Sequence, residues 1–138
     1  MYALKVDSVR KSYRNDMSLA RREVLHGISL AARTGEVLGF LGPNGAGKTT
    51  TIKVILGLIR ADAGAVTIFD RPVGDRHAMA RVGYLPETPY FYPHLSLREF
   101  LEFCGAMSGI PSDTIPARIE RIVETVDRDG LYEAQTPQ

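Results

Sequence analysis

The chain has 138 residues, and its 17 Lys and Arg nearly balance its 16 Asp and Glu, which leaves a formal net charge of +1. This balance gives no electrostatic reason to expect a nucleic-acid-binding protein. No apolar run approaches the ~18 residues of a membrane-spanning helix, and a single cysteine, Cys104, excludes an intrachain disulfide or a cysteine metal cluster. The N-terminus lacks a secretory pattern. We therefore expect one cytoplasmic domain, which would reach a membrane only through a partner.

The N-terminal third reads as strands followed by a glycine-rich loop. Residues 3–13 alternate loosely between apolar and polar side chains, and residues 24–32 form a second candidate strand. A tight turn at residues 34–36 leads into the apolar run 37–41, which is typical of a buried strand. Residues 50–59 carry apolar side chains at helical spacing and predict a helix.

Between that apolar run and that helix, residues 42–49 match the phosphate-binding motif G-x-x-x-x-G-K-[ST]. The glycines permit a tight curl whose N–H groups point inward and form a nest for anions. The following helix adds unpaired N–H groups and the positive end of its dipole. Lys48 would bring a positive charge to the β- and γ-phosphates, and the Thr49 hydroxyl would ligate Mg²⁺.

The second half of the chain is predicted to be mostly helical. Residues 65–69 and 81–85 are strand candidates, and residues 75–80 predict a short helix. Ser96-Leu97-Arg98-Glu99 matches a capping box that opens a helix through about Met107. Pro116 suits the first turn of a last helix, which Gly130 would end. That helix has an apolar face made by Ile119, Ile122, Val123 and Val126.

From the N-terminus to about Leu131, the chain resembles the ATP-binding domain of ABC transporters. The resemblance is carried by residues 35–50, whose Pro-Asn-Gly-Ala filling of the loop is more specific than the general motif, and by the segments Leu56-Gly57-Leu58 and Asp62-Ala63-Gly64. It implies an α/β fold: a P-loop NTPase core with an antiparallel β subdomain. It implies ATP and Mg²⁺ as cofactors.

The resemblance assigns two further site residues. Tyr13 stands where the family has an aromatic side chain that stacks on adenine, and Glu87 ends a segment similar to the Q-loop, where the family usually has glutamine. A carboxylate at this position suits Mg²⁺ ligation. The nucleotide-binding residues expected in this sequence are Tyr13, Gly42, Pro43, Asn44, Gly45, Ala46, Gly47, Lys48, Thr49 and Thr50, and the expected metal ligands are Thr49 and Glu87.

The same resemblance implies partners. An aromatic-rich segment from Tyr90 to Leu95 follows Glu87, and in the family this neighbourhood contacts a membrane-spanning permease. The other interpretation is that Tyr90 and Tyr92 cover a helix core made by Phe100 and Phe103, and the two interpretations are compatible. A second ABC ATPase domain is the expected dimerisation partner.

The sequence contains no signature motif, Walker B strand or switch histidine of the family. We therefore expect an N-terminal portion that binds ATP but hydrolyses it negligibly alone. It would comprise antiparallel strands (1–34), a P-loop core to the Q-loop (35–95), a helical part (96–131) and an irregular tail (132–138). Coupling of ATP to membrane transport is the leading function. The alternatives are a soluble ABC ATPase of translation or DNA maintenance, a nucleotide-binding fragment without turnover, and another P-loop class.

Overall fold

A computed structural model describes residues 1–14 and 20–126, and the structure below refers to these residues. The chain divides into two compact units, Met1–Tyr84 and Leu85–Gln138, which are described separately. The predicted helix end at Gly130 and the predicted tail at residues 132–138 lie outside the described residues. No helix among the described residues has the length and apolar character that crossing a membrane requires.

The first unit is built on an antiparallel sheet. Its strands are β1 (Tyr2–Arg14), β2 (Arg21–Arg33), β3 (Ala63–Ile68) and the short β4 (Arg71–Pro72). Among the described residues the strand order is β2-β1-β3-β4. This arrangement confirms the predicted antiparallel strands at the N-terminus and places β1 at the centre, between β2 and β3.

The core of this unit lies between one face of the sheet and helix α1 (Lys48–Ile55). It consists of buried side chains from three strands and from α1, namely Val6, Val9, Leu25, Val54 and Val66. Val6 and Val9 are three residues apart, a spacing that simple strand alternation would send to opposite faces. An irregularity in register between them, with Ser8 at φ 49°, turns both side chains toward the core.

Helix α1 begins against β2 at a glycine. Gly47 is its N-cap and is buried, with φ 88° in the left-handed region. A Cβ atom at this position would lie 2.6 Å from Leu25 Cδ2 and 3.1 Å from the Val24 carbonyl oxygen. Both the backbone conformation and the close approach to β2 therefore require glycine.

Two predicted strands are absent from the described residues, and the helix after the loop is shorter than predicted. Residues 37–41 and 82–85 are irregular, because a strand needs a hydrogen-bonded neighbour and no described strand pairs with them. Val37 and Leu41 are accordingly 96% and 92% exposed. Helix α1 ends at Ile55 rather than at residue 59, and Gly57 then adopts φ 70°.

The other predicted helices are present. Helix α2 (Arg76–Met79) is capped by the Asp75 carboxylate, which accepts a hydrogen bond from the Ala78 N–H. The second unit contains α3 (Leu97–Met107) and α4 (Ile115–Val126), and Pro116 occupies the predicted first turn of α4. The two helices meet where Gly105 packs on Ile115.

The apolar face predicted for α4 is only partly buried. Ile119 is buried, whereas Ile122 and Val126 are 48% and 77% exposed.

The capping box of α3 forms as predicted. The Ser96 hydroxyl accepts a hydrogen bond from the Glu99 N–H at 3.3 Å, and the Glu99 carboxylate accepts from the Ser96 N–H at 2.7 Å and from its hydroxyl at 2.7 Å. These bonds, first of all the one from the Ser96 side chain, lower the pKa of Glu99 below its ordinary value. The box satisfies N–H groups that the first helical turn leaves without a partner.

Replacing Gly47 with alanine should destabilise the first unit, because the new methyl group both strains the backbone and overlaps Leu25. We expect Gly47→Ala to lower the free energy of unfolding by about 2 kcal/mol or more, measured by urea denaturation followed by circular dichroism. Gly45→Ala is the matched control, since Gly45 has φ 84° but nothing within 4 Å of its Cβ direction. An equal cost for the two variants would contradict the packing argument.

Ser96→Ala should lower the stability of the unit that contains α3 by about 1 kcal/mol, because it removes the hydroxyl that caps the helix. Ser108→Ala, at the C-terminal end of α3, is the control. Its hydroxyl donates to the Cys104 carbonyl at 2.8 Å and does not cap the start of the helix, so its cost should be smaller. Urea denaturation of both variants measures the difference, and equal costs would count against a capping role.

The same box makes α3 sensitive to acid. Because the folded-state pKa of Glu99 is lowered, the ionised carboxylate stabilises the fold above its ordinary pKa of 4.5. That stabilisation is lost as the pH falls through the lower folded-state pKa. Helicity measured against pH should show this loss in the wild type, and Glu99→Gln should remove that part of the pH dependence.

Candidate nucleotide-binding site

The predicted phosphate loop is an open turn that leads directly into α1. The Ala46 N–H donates to the Pro43 carbonyl at 3.2 Å and closes the turn. Gly45 and Gly47 have φ 84° and 88°, and this permits the tight curl that the sequence predicts. Residues 42–46 are exposed, so the curl is accessible from solvent.

The first turn of α1 is tied to the loop by a buried hydroxyl. Thr51 is 1% exposed, and its Oγ1 donates to the Gly47 carbonyl at 3.0 Å. The Thr51 N–H donates to the same oxygen at 2.8 Å. Sequence reasoning did not identify Thr51, because its position one turn into the helix is explained equally well by an exposed polar face.

Lys48 folds back over the curl. Its Nζ donates hydrogen bonds to the carbonyl oxygens of Gly42 and Pro43, the latter at 2.8 Å. The ammonium group therefore lies at the start of the loop although the residue is the first of α1. These acceptors are neutral, so an anion in the curl would give the same cation a stronger, charge-assisted bond.

The start of α1 fits an anion in two further ways. No side chain caps the helix, and no acidic residue lies in its first turn. The first N–H groups of a helix have no partner within the helix, and they carry the positive end of its dipole. Thr49 is exposed and Thr50 half-buried in this turn. The chemistry of these donors therefore suits a phosphate chain.

For a metal ion, the described residues offer no cluster of three or more His, Cys, Asp or Glu side chains. Mg²⁺ is commonly held by one or two protein oxygens together with phosphate oxygens and waters. The exposed hydroxyl of Thr49 fits this pattern. Glu87 is exposed in the unit that begins at Leu85, and its role as a metal ligand stays a prediction.

Tyr13 lies near the end of β1 and is 42% exposed. The Lys11 Nζ lies over its ring, 5.8 Å from the ring centroid. Tyr13 is paired with Arg22 across the sheet. The ring is thus held in an ordered strand and keeps accessible surface, and its role in stacking on adenine also stays a prediction.

The aromatic segment packs on α3. The Phe91 and Phe100 rings are 5.4 Å apart, and those of Tyr92 and Phe103 are 5.9 Å apart. Tyr90 contacts Tyr92 edge to face at 5.6 Å and remains 76% exposed. The segment therefore covers α3 and also presents aromatic surface to solvent.

Comparison with known proteins identifies the family that the chain is similar to. A family model described as ABC transporter matches residues 25–137. An ABC transporter ATP-binding protein of Synechocystis sp. is 44% identical over 124 residues, which cover 89% of this chain and 34% of that protein. The Nod factor export ATP-binding protein I of Burkholderia lata is 40% identical over 114 residues, which cover 81% of this chain and 38% of that protein.

A solved ATP-binding subunit of an ABC transporter superposes with a TM-score of 0.77 at 30% identity, covering 96% of this chain and 52% of that one. This likeness confirms the predicted fold class. The chain spans about a third of the length of the curated relatives it matches. Because the family match extends over most of the sequence, the chain belongs to the ABC transporter family.

Proposed function

We propose that this chain supplies the nucleotide-binding part of an ABC-type ATPase, which couples ATP binding and hydrolysis to transport across a membrane. One observation carries the proposal. A lysine ammonium group lies over a glycine curl at the start of a helix that has neither a side-chain cap nor an acidic first turn. This arrangement collects positive charge and N–H donors at one accessible place.

In the proposed site the loop residues Gly42, Pro43, Asn44, Gly45, Ala46 and Gly47 surround the phosphate chain with main-chain groups. Lys48 exchanges its bonds to the Gly42 and Pro43 carbonyls for bonds to phosphate oxygens. The hydroxyls and N–H groups of Thr49 and Thr50 complete the contacts. Mg²⁺, when bound, would neutralise charge on the phosphate oxygens, and the Thr49 hydroxyl would supply a protein oxygen to it. Glu87, which belongs to the other unit, stays a predicted second ligand.

Base recognition in this proposal falls to Tyr13. Stacking of an aromatic side chain on a base contributes about 1–3 kcal/mol in nucleic-acid-binding proteins, and it tolerates any base because each has an aromatic face. The exposed ring at the end of β1 supports this assignment. The hydrogen-bonding edge of adenine would add little to affinity in such a site.

The proposed setting is the cytoplasmic side of a membrane, where a permease partner would hold the ATPase. The exposed aromatic side chains between Tyr90 and Leu95 support a docking role, since aromatic residues are enriched at interface cores. A second ABC ATPase domain is the proposed partner on ATP binding. A relative named for Nod factor export favours transport over a function in translation or DNA maintenance.

Removal of the Lys48 charge tests the phosphate site. We expect Lys48→Ala to weaken Mg-ATP binding about tenfold or more, because a charge-assisted contact to the phosphates is lost. Titration calorimetry on the full chain measures the affinity. Lys53→Ala is the control, since Lys53 is an exposed lysine in the last turn of the same helix. Wild-type affinity in Lys48→Ala would refute the proposed site.

A further inference from the structure

We infer that Asp62, in the turn that precedes β3, is a positioning residue for Tyr13. The Tyr13 ring is called the adenine platform below, because adenine is proposed to stack on it. The inference rests on the proposed function, because Tyr13 is the platform only if the chain binds a nucleotide. It adds a residue that neither the phosphate motif nor the aromatic position identifies. Its basis is a set of bonds between Asp62 and the last part of β1.

The backbone of β1 needs this support because β1 extends past its neighbour. β3 begins at Ala63, which pairs with Arg10, so the last residues of β1 continue beyond the register with β3. The Asp62 N–H donates to the Arg10 carbonyl at 2.9 Å. The main-chain N–H of Ser12 points to the same strand edge as the Arg10 carbonyl, because main-chain groups alternate in direction from one residue to the next along a strand.

The Asp62 carboxylate provides the acceptor that a further residue of β3 would otherwise provide to the end of β1. Its Oδ2 accepts a hydrogen bond from the Ser12 N–H at 2.7 Å. A donor that would otherwise lie unpaired at the strand edge is thereby fixed, and it belongs to the residue directly before Tyr13. The main-chain direction at Tyr13 therefore depends on this contact.

The other carboxylate oxygen reaches the tyrosine through a lysine. Asp62 Oδ1 accepts from Lys11 Nζ at 2.9 Å, and the Lys11 side chain is only 16% exposed. That same ammonium group lies over the Tyr13 ring, 5.8 Å from its centroid. A cation held over the ring restrains its rotation, and the Tyr13 side chain keeps exposed surface for a base.

The charge of Asp62 fits this task. Hydrogen bonds from the Lys11 side chain and from the Ser12 N–H lower the pKa of the Asp62 carboxyl, and Arg21 adds a smaller attraction in the same direction. The group is a carboxylate at neutral pH, so both bonds are charge-assisted and stronger than neutral ones.

Asp62 also connects the two ends of the proposed site. It follows α1 in the chain, and between them lie Ile59 and Ala61, which pack against the core. The phosphate loop lies at the N-terminal end of α1, and the strand that carries Tyr13 is held from the segment after its C-terminal end. The spacing between the adenine platform and the phosphate loop is therefore set by one continuous segment that packs on the sheet.

The test compares Asp62→Ala, Tyr13→Ala and the double variant in the full chain, with Mg-ATP and inorganic tripolyphosphate as probes. Loss of an aromatic–base stack corresponds to about a fivefold or greater loss of affinity. We expect Asp62→Ala to weaken ATP binding by up to the factor that Tyr13→Ala produces, and to leave tripolyphosphate affinity unchanged. The double variant should bind ATP as Tyr13→Ala does, because both changes remove the same contact.

Asp75→Ala is the matched control. Like Asp62, Asp75 accepts a hydrogen bond from a main-chain N–H and forms an ion pair, in this case with Arg71 at 3.4 Å. Unlike Asp62, it makes these bonds away from the end of β1. It should leave ATP affinity unchanged. Equal losses for ATP and tripolyphosphate in Asp62→Ala, or a further loss in the double variant, would overturn the inference while ATP binding stands. Failure of the wild type to bind either probe would instead refute the proposed function, and the inference with it.

Discussion

The contact between the start of α1 and strand β2 is the constraint on which the rest of the first unit depends. Gly47 brings its backbone so close to Leu25 and to the Val24 carbonyl that no larger residue fits. The helix therefore starts at a fixed place on the sheet, and the loop before it must curl to reach that place. The geometry of the proposed phosphate loop is thus a consequence of core packing as well as of loop sequence.

A second close approach, between β3 and β1, affects the shape of the sheet on which α1 packs. Gly64, at the start of β3, has φ 84°, and a Cβ there would lie 2.5 Å from the carbonyl oxygens of both Asp7 and Ser8. The irregular part of β1 at Ser8 is therefore pressed against a glycine of its neighbour. This irregularity turns Val9 into the core beneath α1. β1 stays paired with β2 on both sides of this irregularity, and its register shifts again near its two ends, between Tyr2 and Leu4 and between Lys11 and Ser12.

Features whose cause is local could be predicted from the sequence. The Ser96–Glu99 capping box and the curl of the phosphate loop each depend on residues a few positions apart, and both occur as predicted. Some features that depend on distant chain segments could not be predicted. The apolar runs 37–41 and 81–85 have strand composition but no described neighbour to pair with, and the inward turn of Val9 depends on an irregularity that alternation alone does not reveal.

The bonds that hold the candidate site are independent of the group that it would bind. The Ala46 N–H donates to the Pro43 carbonyl, and the Thr51 hydroxyl donates to the Gly47 carbonyl. In the proposed site the Lys48 ammonium would exchange its present bonds, whose acceptors are carbonyl oxygens, for bonds to a phosphate. Bonds within the chain therefore help to hold the loop in its curl. That proposed exchange replaces neutral acceptors with charged ones, so the bonds of the Lys48 ammonium would become stronger when an anion binds.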